Sequence, residues 1–285
     1  MANPSGLGWV VLLGLSAALL TGACRGGAVK QEPVHGTSLG EVPDSAWQSL
    51  RTRRIFFGHQ SVGANIMEGV GDVLRDDPRI GLRMAGGEGA LAGGGGAFAH
   101  GPVGRNGDPE GKTDDFARLI EGPLRGKVDV AFHKYCYVDI TETTDVAAVF
   151  AGYQKTMTRL RAEFPGVTFV HVTTPLVAVG SGPRAALKRL LGRDPGRYAG
   201  DYARERFNDL MRNAYRGREP LFDLATIEST RPDGSREAIR SGNRSGYALV
   251  PAYTTDSSHL NEVGRRRVAE ELLVFLARLP ASMSK

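Results

Sequence analysis

From about residue 53 onward, short apolar runs alternate with longer segments in which apolar residues recur every three or four positions. "RRIFFG" (53–58), "KVDVAFHKYCYVDI" (127–140) and "GVTFVHVTTPL" (166–176) are runs of the first kind. "SVGANIMEGVGDVLRDD" (61–77) is of the second kind, with Val62, Ile66, Val70, Val73 and Leu74 at helical spacing. Few architectures accept this pattern. Continuous apolar runs of strand length are buried on both faces. Joining parallel neighbours takes a crossover, and helices then cover the sheet on both sides. The expectation is an α/β fold of three layers, α/β/α, around a central, mostly parallel sheet of five strands.

The remaining segments fit this frame. "RIGLRMAGG" (79–87) is the second strand candidate, and "GGEGALAGGGGAFAHGPVGRNGDPEGK" (86–112) reads as a glycine-dense surface loop. "TDDFARLIEGPL" (113–124) predicts a short helix with Thr113 as its N-cap. "TTDVAAVFAGYQKTMTRLRAEFP" (143–165) predicts a long helix stopped by Pro165. "GDYARERFNDLMRNAYRG" (200–217) predicts another helix, "EPLFDLATIES" (219–229) a fifth strand, and residues 229–246 a polar loop. "NEVGRRRVAEELLVFLARL" (261–279) predicts a closing helix with Asn261 as N-cap.

The N-terminus has a different character. Residues 6–23, "GLGWVVLLGLSAALLTGA", carry no charge, are short for a permanent span and end in small residues. They read as a secretory signal over 1–23. Thr21-Gly22-Ala23-Cys24 resembles the lipobox of bacterial lipoproteins, which implies lipidation of Cys24 and a membrane anchor through that lipid. The Gly/Pro/Ser-rich stretch 24–48 reads as a flexible tether, leaving 49–285 as a single domain. These features imply export to the cell envelope. The only other cysteine is Cys136, so the fold needs no disulfide. A formal net charge of +5 comes from scattered Lys and Arg without a zinc-finger spacing or RNA-binding signature, so no nucleic-acid partner is expected.

In open α/β sheets, sites form outside the carboxyl ends of the strands. That rule selects Ser61, Lys134–Tyr137 and Thr173–Pro175. Ser61 follows a strand and starts a helix, where it is either a nucleophile at the positive helix end or a routine N-cap. "TTDSSHLNEVGRRR" (254–267) sets Asp256 three residues before His259. In a loop, that carboxylate can hold one ring nitrogen and leave the other to take a proton from a hydroxyl.

Asp256-Ser257-Ser258-His259-Leu260-Asn261, with Gly264 and an amphipathic terminal helix after it, resembles the last block of the SGNH/GDSL hydrolase superfamily. By that resemblance the fold is flavodoxin-like from about residue 53 to 279. Ser61 is the nucleophile, His259 its base and Asp256 the residue that orients the base. The implied substrate is an ester, with an acyl group on an envelope glycan suggested by export. The rivals are acyl transfer by the same residues and a non-catalytic glycan-binding lipoprotein. Two blocks depart from the family. Gly58-His59-Gln60-Ser61 stands in place of Gly-Asp-Ser, and Lys134-Tyr135-Cys136-Tyr137 lacks the asparagine expected after the central strand. Replacement donors for an oxyanion are the Ser61 N–H, Gly104 and Asn106 first, then Gln60 and Lys134. His59 either contacts substrate or fixes the turn. Lys134 either faces the site or meets Asp139. Cys136 is a buried small residue or, as a weaker reading, a thiol nucleophile. His100, His133 and His171 show no metal-ligand spacing, the last two reading as satisfied core or rim histidines, and neither a metal nor a cofactor is expected.

Overall fold

The computed structural model describes residues 38–91, 93, 95–180, 198–241 and 243–280. The signal segment, Cys24 and most of the tether lie outside the described residues. Residues 38–48 are part of the packed domain. Helix α1 spans Asp44–Thr52. Val42, Trp47 and Leu50 are buried, and Arg53 ties this end to the other by donating to the carbonyls of Leu279 and Pro280. The folded domain therefore starts before residue 49.

The strands and helices then alternate as the pattern requires: β1 (Arg54–His59), α2 (Ser61–Asp76), β2 (Met84–Gly86), β3 (Ala97–Pro102), α3 (Pro109–Glu121), β4 (Val130–His133) and α4 (Val146–Glu163). β5 (Thr168–Phe169), β6 (His171–Val172), α5 (Tyr198–Tyr215), β7 (Leu221–Phe222), α6 (Leu224–Ser229), β8 (Ala238–Ser241), β9 (Arg244–Tyr247) and α7 (Glu262–Ala277) complete the order. The central sheet has five strands in the order β2-β3-β1-β4-β5, and every pairing in it is parallel. β6 follows β5 after one residue and pairs in parallel with β7, extending the line of strands.

The period of two along β1 divides the core. Ile55 and Phe57 point to one layer with α1, α2, α6 and α7, while Phe56 points to the other with α3, α4 and α5. On α2, Val62, Ile66, Val70 and Val73 are fully buried, each contributing about 1.5–3 kcal/mol relative to exposure.

Several expectations change. The glycine-dense stretch contains β3, whose Ala97, Phe98, Ala99 and Gly101 are buried between β1 and β2. Helix α3 starts earlier than expected. Asp108 is its N-cap, accepting from Gly111 N at 2.8 Å, while Thr113 is buried inside it and bonds the Tyr135 hydroxyl. The fifth strand shrinks to Leu221–Phe222, because Asp223 caps α6 immediately after it. The polar stretch 229–246 holds the antiparallel β8–β9 hairpin. There the Arg236 guanidinium lies 3.4 Å from the centre of the Tyr247 ring. The closing helix is as expected, with Asn261 Oδ1 accepting from Gly264 N.

Candidate active site

β1 lies between β3 and β4, so the chain reverses its direction across the sheet there. The carboxyl ends of these three strands form one edge. Four segments meet around it: Gln60-Ser61 after β1, residues 103–107 after β3, residues 134–139 after β4, and the loop before α7.

Ser61 is the first residue of α2, a helix of 16 residues. Gln60 occupies the cap position, and its carbonyl accepts from Gly63 N and Ala64 N. The N–H groups of Ser61 and Val62 precede those first helical bonds and carry the positive end of the helix. Among the described residues Ser61 Oγ makes no hydrogen bond, so it does not act as a capping group.

The loop before α7 holds Asp256 and His259 side by side. His259 Nδ1 lies 2.7 Å from Asp256 Oδ2, and the amides of Ser258 and His259 donate to Asp256 Oδ1 at 2.9 and 2.7 Å. These bonds, led by the His259 amide and then its ring, hold the Asp256 carboxyl well below the usual carboxylate range. A carboxylate only accepts, so Nδ1 carries a ring proton, and Nε2 is the nitrogen left to exchange a proton with a hydroxyl. Ser257 sits between them at φ 74°, a left-handed conformation costly for a residue other than glycine. Its carbonyl is fixed by Ala178 N at 2.8 Å. The His259 ring meets Tyr137 edge-on at 5.9 Å, which sets it over the segment that follows β4. No hydrogen bond joins Ser61 to His259 in this structure. Catalytic contacts of this kind are often formed only with substrate in place.

The neighbouring residues divide into donors already engaged and donors still free. Gln60 Nε2 donates to Val103 O at 3.1 Å and Gly104 O at 2.8 Å, which consumes both amide hydrogens. Gly104 N donates to Asp115 Oδ2 at 2.7 Å. Neither Gln60 nor Gly104 therefore offers the free N–H expected of it. They shape the loop instead. Gly104 has φ 52°, and a Cβ there would lie 2.7 Å from Lys112 Cα, so only glycine lets the loop lie this close to α3. Asn106 differs. Its Oδ1 accepts from Lys112 Nζ at 2.9 Å, while its Nδ2 hydrogens have no partner among the described residues.

His59 is buried and fixes the turn. Nδ1 donates to Gln60 O at 3.1 Å, and Nε2 accepts from His100 Nδ1 at 3.0 Å. Burial, with some help from the charge on Lys134, pushes its pKa down to about 4, so the ring stays neutral. Gly63 makes room for it, since a Cβ at 63 would sit 2.3 Å from the His59 Cβ. Lys134 turns inward and is buried. Its Nζ donates to Tyr135 O and to Cys136 Sγ at 3.5 Å, not to Asp139, and burial lowers its pKa. Cys136 is fully buried. His171 is satisfied by Tyr153 and Glu219, whereas both ring nitrogens of His133 are buried without a partner among the described residues. Among the described residues no group of three or more His, Cys, Asp or Glu side chains is arranged to hold a metal ion.

Lys112 and Asp115, which carry no expectation from the sequence, organise this edge together with Asp139, whose partner is Lys112 and not Lys134. Lys112 and Asp115 follow the Asp108 cap at helical spacing and face the 103–107 loop. That polar face, set just after a glycine-rich loop, is the signal that would have found them.

No family model matches the chain, and no curated protein matches it. Its fold is similar to those of several solved structures at low identity. A lipase/acylhydrolase from Enterococcus faecalis is 14% identical, with 81% of this chain and 100% of that chain covered and a TM-score of 0.44. Phospholipase A1 from Streptomyces albidoflavus is 15% identical, with coverage of 79% and 98% and a TM-score of 0.40. A peptidoglycan O-acetylesterase is 14% identical, with coverage of 63% and 46% and a TM-score of 0.38.

Proposed function

We propose that the protein is a serine esterase of the SGNH/GDSL type, exported and held at the cell envelope by a lipid on Cys24. The observation that carries the esterase reading is the pairing of Asp256 with His259 Nδ1, on the sheet edge where an uncapped serine opens a long helix. In this reading Ser61 Oγ attacks the ester carbonyl while His259 Nε2 takes its proton. Asp256 holds the ring and stabilises the imidazolium. The negative charge that develops on the carbonyl oxygen meets the Ser61 N–H and the Asn106 amide. His259 then protonates the leaving alcohol, and water, activated by the same ring, releases the acyl group. The signal-like residues 6–23 and the lipobox-like 21–24 support an ester borne by an envelope glycan as substrate.

The second reading is a glycan-binding lipoprotein without turnover. It is favoured by the absence of a Ser61–His259 hydrogen bond. Hydrolysis of p-nitrophenyl acetate by the wild type and by Ser61→Ala separates the two. The esterase reading expects turnover that disappears in Ser61→Ala while the circular dichroism spectrum is retained. Equal rates for the two proteins, or no turnover by either, would overturn it.

A further inference from the structure

A fully buried ion pair lies behind the loop that carries Asn106. Lys112 and Asp139 have side chains with 0% exposure, and Lys112 Nζ meets Asp139 Oδ2 at 2.5 Å. Burying two opposite charges desolvates both, and such a pair is weak evidence for stability. Its geometry suits another task. Each polar side-chain atom of the pair also holds a residue of the site-forming loops. Lys112 Nζ also donates to Asn106 Oδ1. Asp139 Oδ1 accepts from Gly107 N at 2.7 Å, and Asp139 Oδ2 accepts from Cys136 N at 2.6 Å. The loop after β3 and the loop after β4 are thereby joined through one carboxylate. Asp115 adds a third hold from α3 through Gly104 N, and Gln60 adds a fourth from the start of α2 through the carbonyls of Val103 and Gly104.

We propose that Lys112 and Asp139 are positioning residues that hold Asn106 by its oxygen, so that its amide N–H groups are presented to the oxyanion formed at Ser61. An exposed asparagine has two amide orientations of nearly equal energy and several rotamers. An ammonium fixed on its Oδ1 selects one of them, because Nδ2 cannot accept from a donor. The donor is then in place before the reaction begins, which is the condition under which such a group lowers the barrier. The device also accounts for the departure of the segment after β4 from the family pattern. The position expected to hold an asparagine instead belongs to the segment that supplies Asp139, and the amide comes from the loop after β3.

This inference rests on the esterase reading, and kinetics on p-nitrophenyl acetate with the full folded chain tests it. Asn106→Ala is expected to lower kcat by about 10²–10³-fold with KM little changed, the usual effect of removing one oxyanion donor. Lys112→Met is expected to lower kcat at least about tenfold in the wild-type background, and by less than about threefold when Asn106 is already alanine. A residue that merely supports the fold would give the same loss in both backgrounds. Equal losses would overturn the proposal while leaving the esterase reading intact, and an inactive wild type would overturn both. Should Lys112→Met fail to fold, Asn106→Asp keeps both residues of the buried pair in the protein. That variant keeps an oxygen for Lys112 but turns a second oxygen toward the oxyanion. It is expected to lose at least as much kcat as Asn106→Ala at an unchanged unfolding midpoint. Retention of wild-type kcat would overturn the proposal.

Discussion

Helix α2 begins at Ser61 and α7 follows directly on the Asp256–His259 loop, and one glycine sets how closely the two helices pack. A Cβ built on Gly69 would lie 2.4 Å from the carbonyl oxygen of Arg265 and 2.7 Å from its carbonyl carbon. Both are backbone atoms of α7 and cannot rotate aside. A relaxed contact lies at about 3.5 Å, so Gly69→Ala forces the helices apart by roughly 1 Å at that point. Overpacking of this kind costs about 1–3 kcal/mol, and the gain in helix propensity on replacing glycine returns about 1 kcal/mol. The salt bridges from Arg265 to Glu68 and Asp72 are partly exposed and offset little. The net expectation is a loss of about 0–2 kcal/mol. Gly71, two residues along, is the control. A Cβ there would touch only Met84 Sδ at 3.8 Å, so Gly71→Ala is expected to stabilise by up to about 1 kcal/mol. Urea unfolding midpoints measure both. Activity measured beside them adds a second readout, because α2 begins at Ser61 and α7 begins just after His259. A displacement of about 1 Å at the reacting atoms can cost about 10²-fold in rate. Gly69→Ala should therefore lose ester hydrolysis under conditions where it remains folded, and Gly71→Ala should not. If Gly69→Ala proved as stable as Gly71→Ala, the close packing of α2 on α7 would be refuted.

Three further outcomes follow from the site and its surroundings. Gln60→Glu replaces a double donor with a carboxylate facing the carbonyls of Val103 and Gly104. It should destabilise the protein by about 1–3 kcal/mol in urea and reduce kcat more than KM. Asp256→Asn removes the acceptor that fixes the His259 proton on Nδ1, and kcat for p-nitrophenyl acetate should fall by about 10²–10⁴-fold with the fold retained. Burial pushes the His133 pKa down to about 3, below its value in the unfolded chain. Its contribution is therefore fully present above about pH 6.5 and is lost as the pH falls toward 3, on the order of 4 kcal/mol in all. His133→Phe, set among Phe116, Tyr135 and Tyr153, should lose less stability than the wild type between pH 7 and pH 4 in urea titrations.

How far the sequence reveals this molecule depends on where each residue finds its partner. Ile55–Phe57 and Val130–Phe132 announce central strands because both faces of the sheet are covered, and large apolar side chains fill both layers. β3 is equally central but is built from Ala97, Ala99 and Gly101 around a single Phe98, inside a glycine-dense context that reads as loop. Leu221–Phe222 reads as the start of a longer strand, and the Asp223 cap ends it. At the candidate site, Asp256 and His259 are three apart and their side chains meet locally, so spacing was enough to pair them. Lys112 and Asp139 are 27 residues apart, and a lysine on a helix next to acidic residues reads as a solvated one. Only the tertiary fold removes both from water. The positions of Gly104 and Gln60 in the sequence suggest free donors, but the structure turns their N–H groups to Asp115 and to backbone carbonyls.

The proposed esterase chemistry requires Ser61 to be a nucleophile activated by His259. Incubating the full chain with a fluorophosphonate probe and mapping the modified peptide tests this most directly. The adduct is predicted on Ser61, with labelling slowed at least about 10²-fold in His259→Ala, whose general base is gone. Labelling at any other residue, or the same rate of labelling without His259, would contradict it.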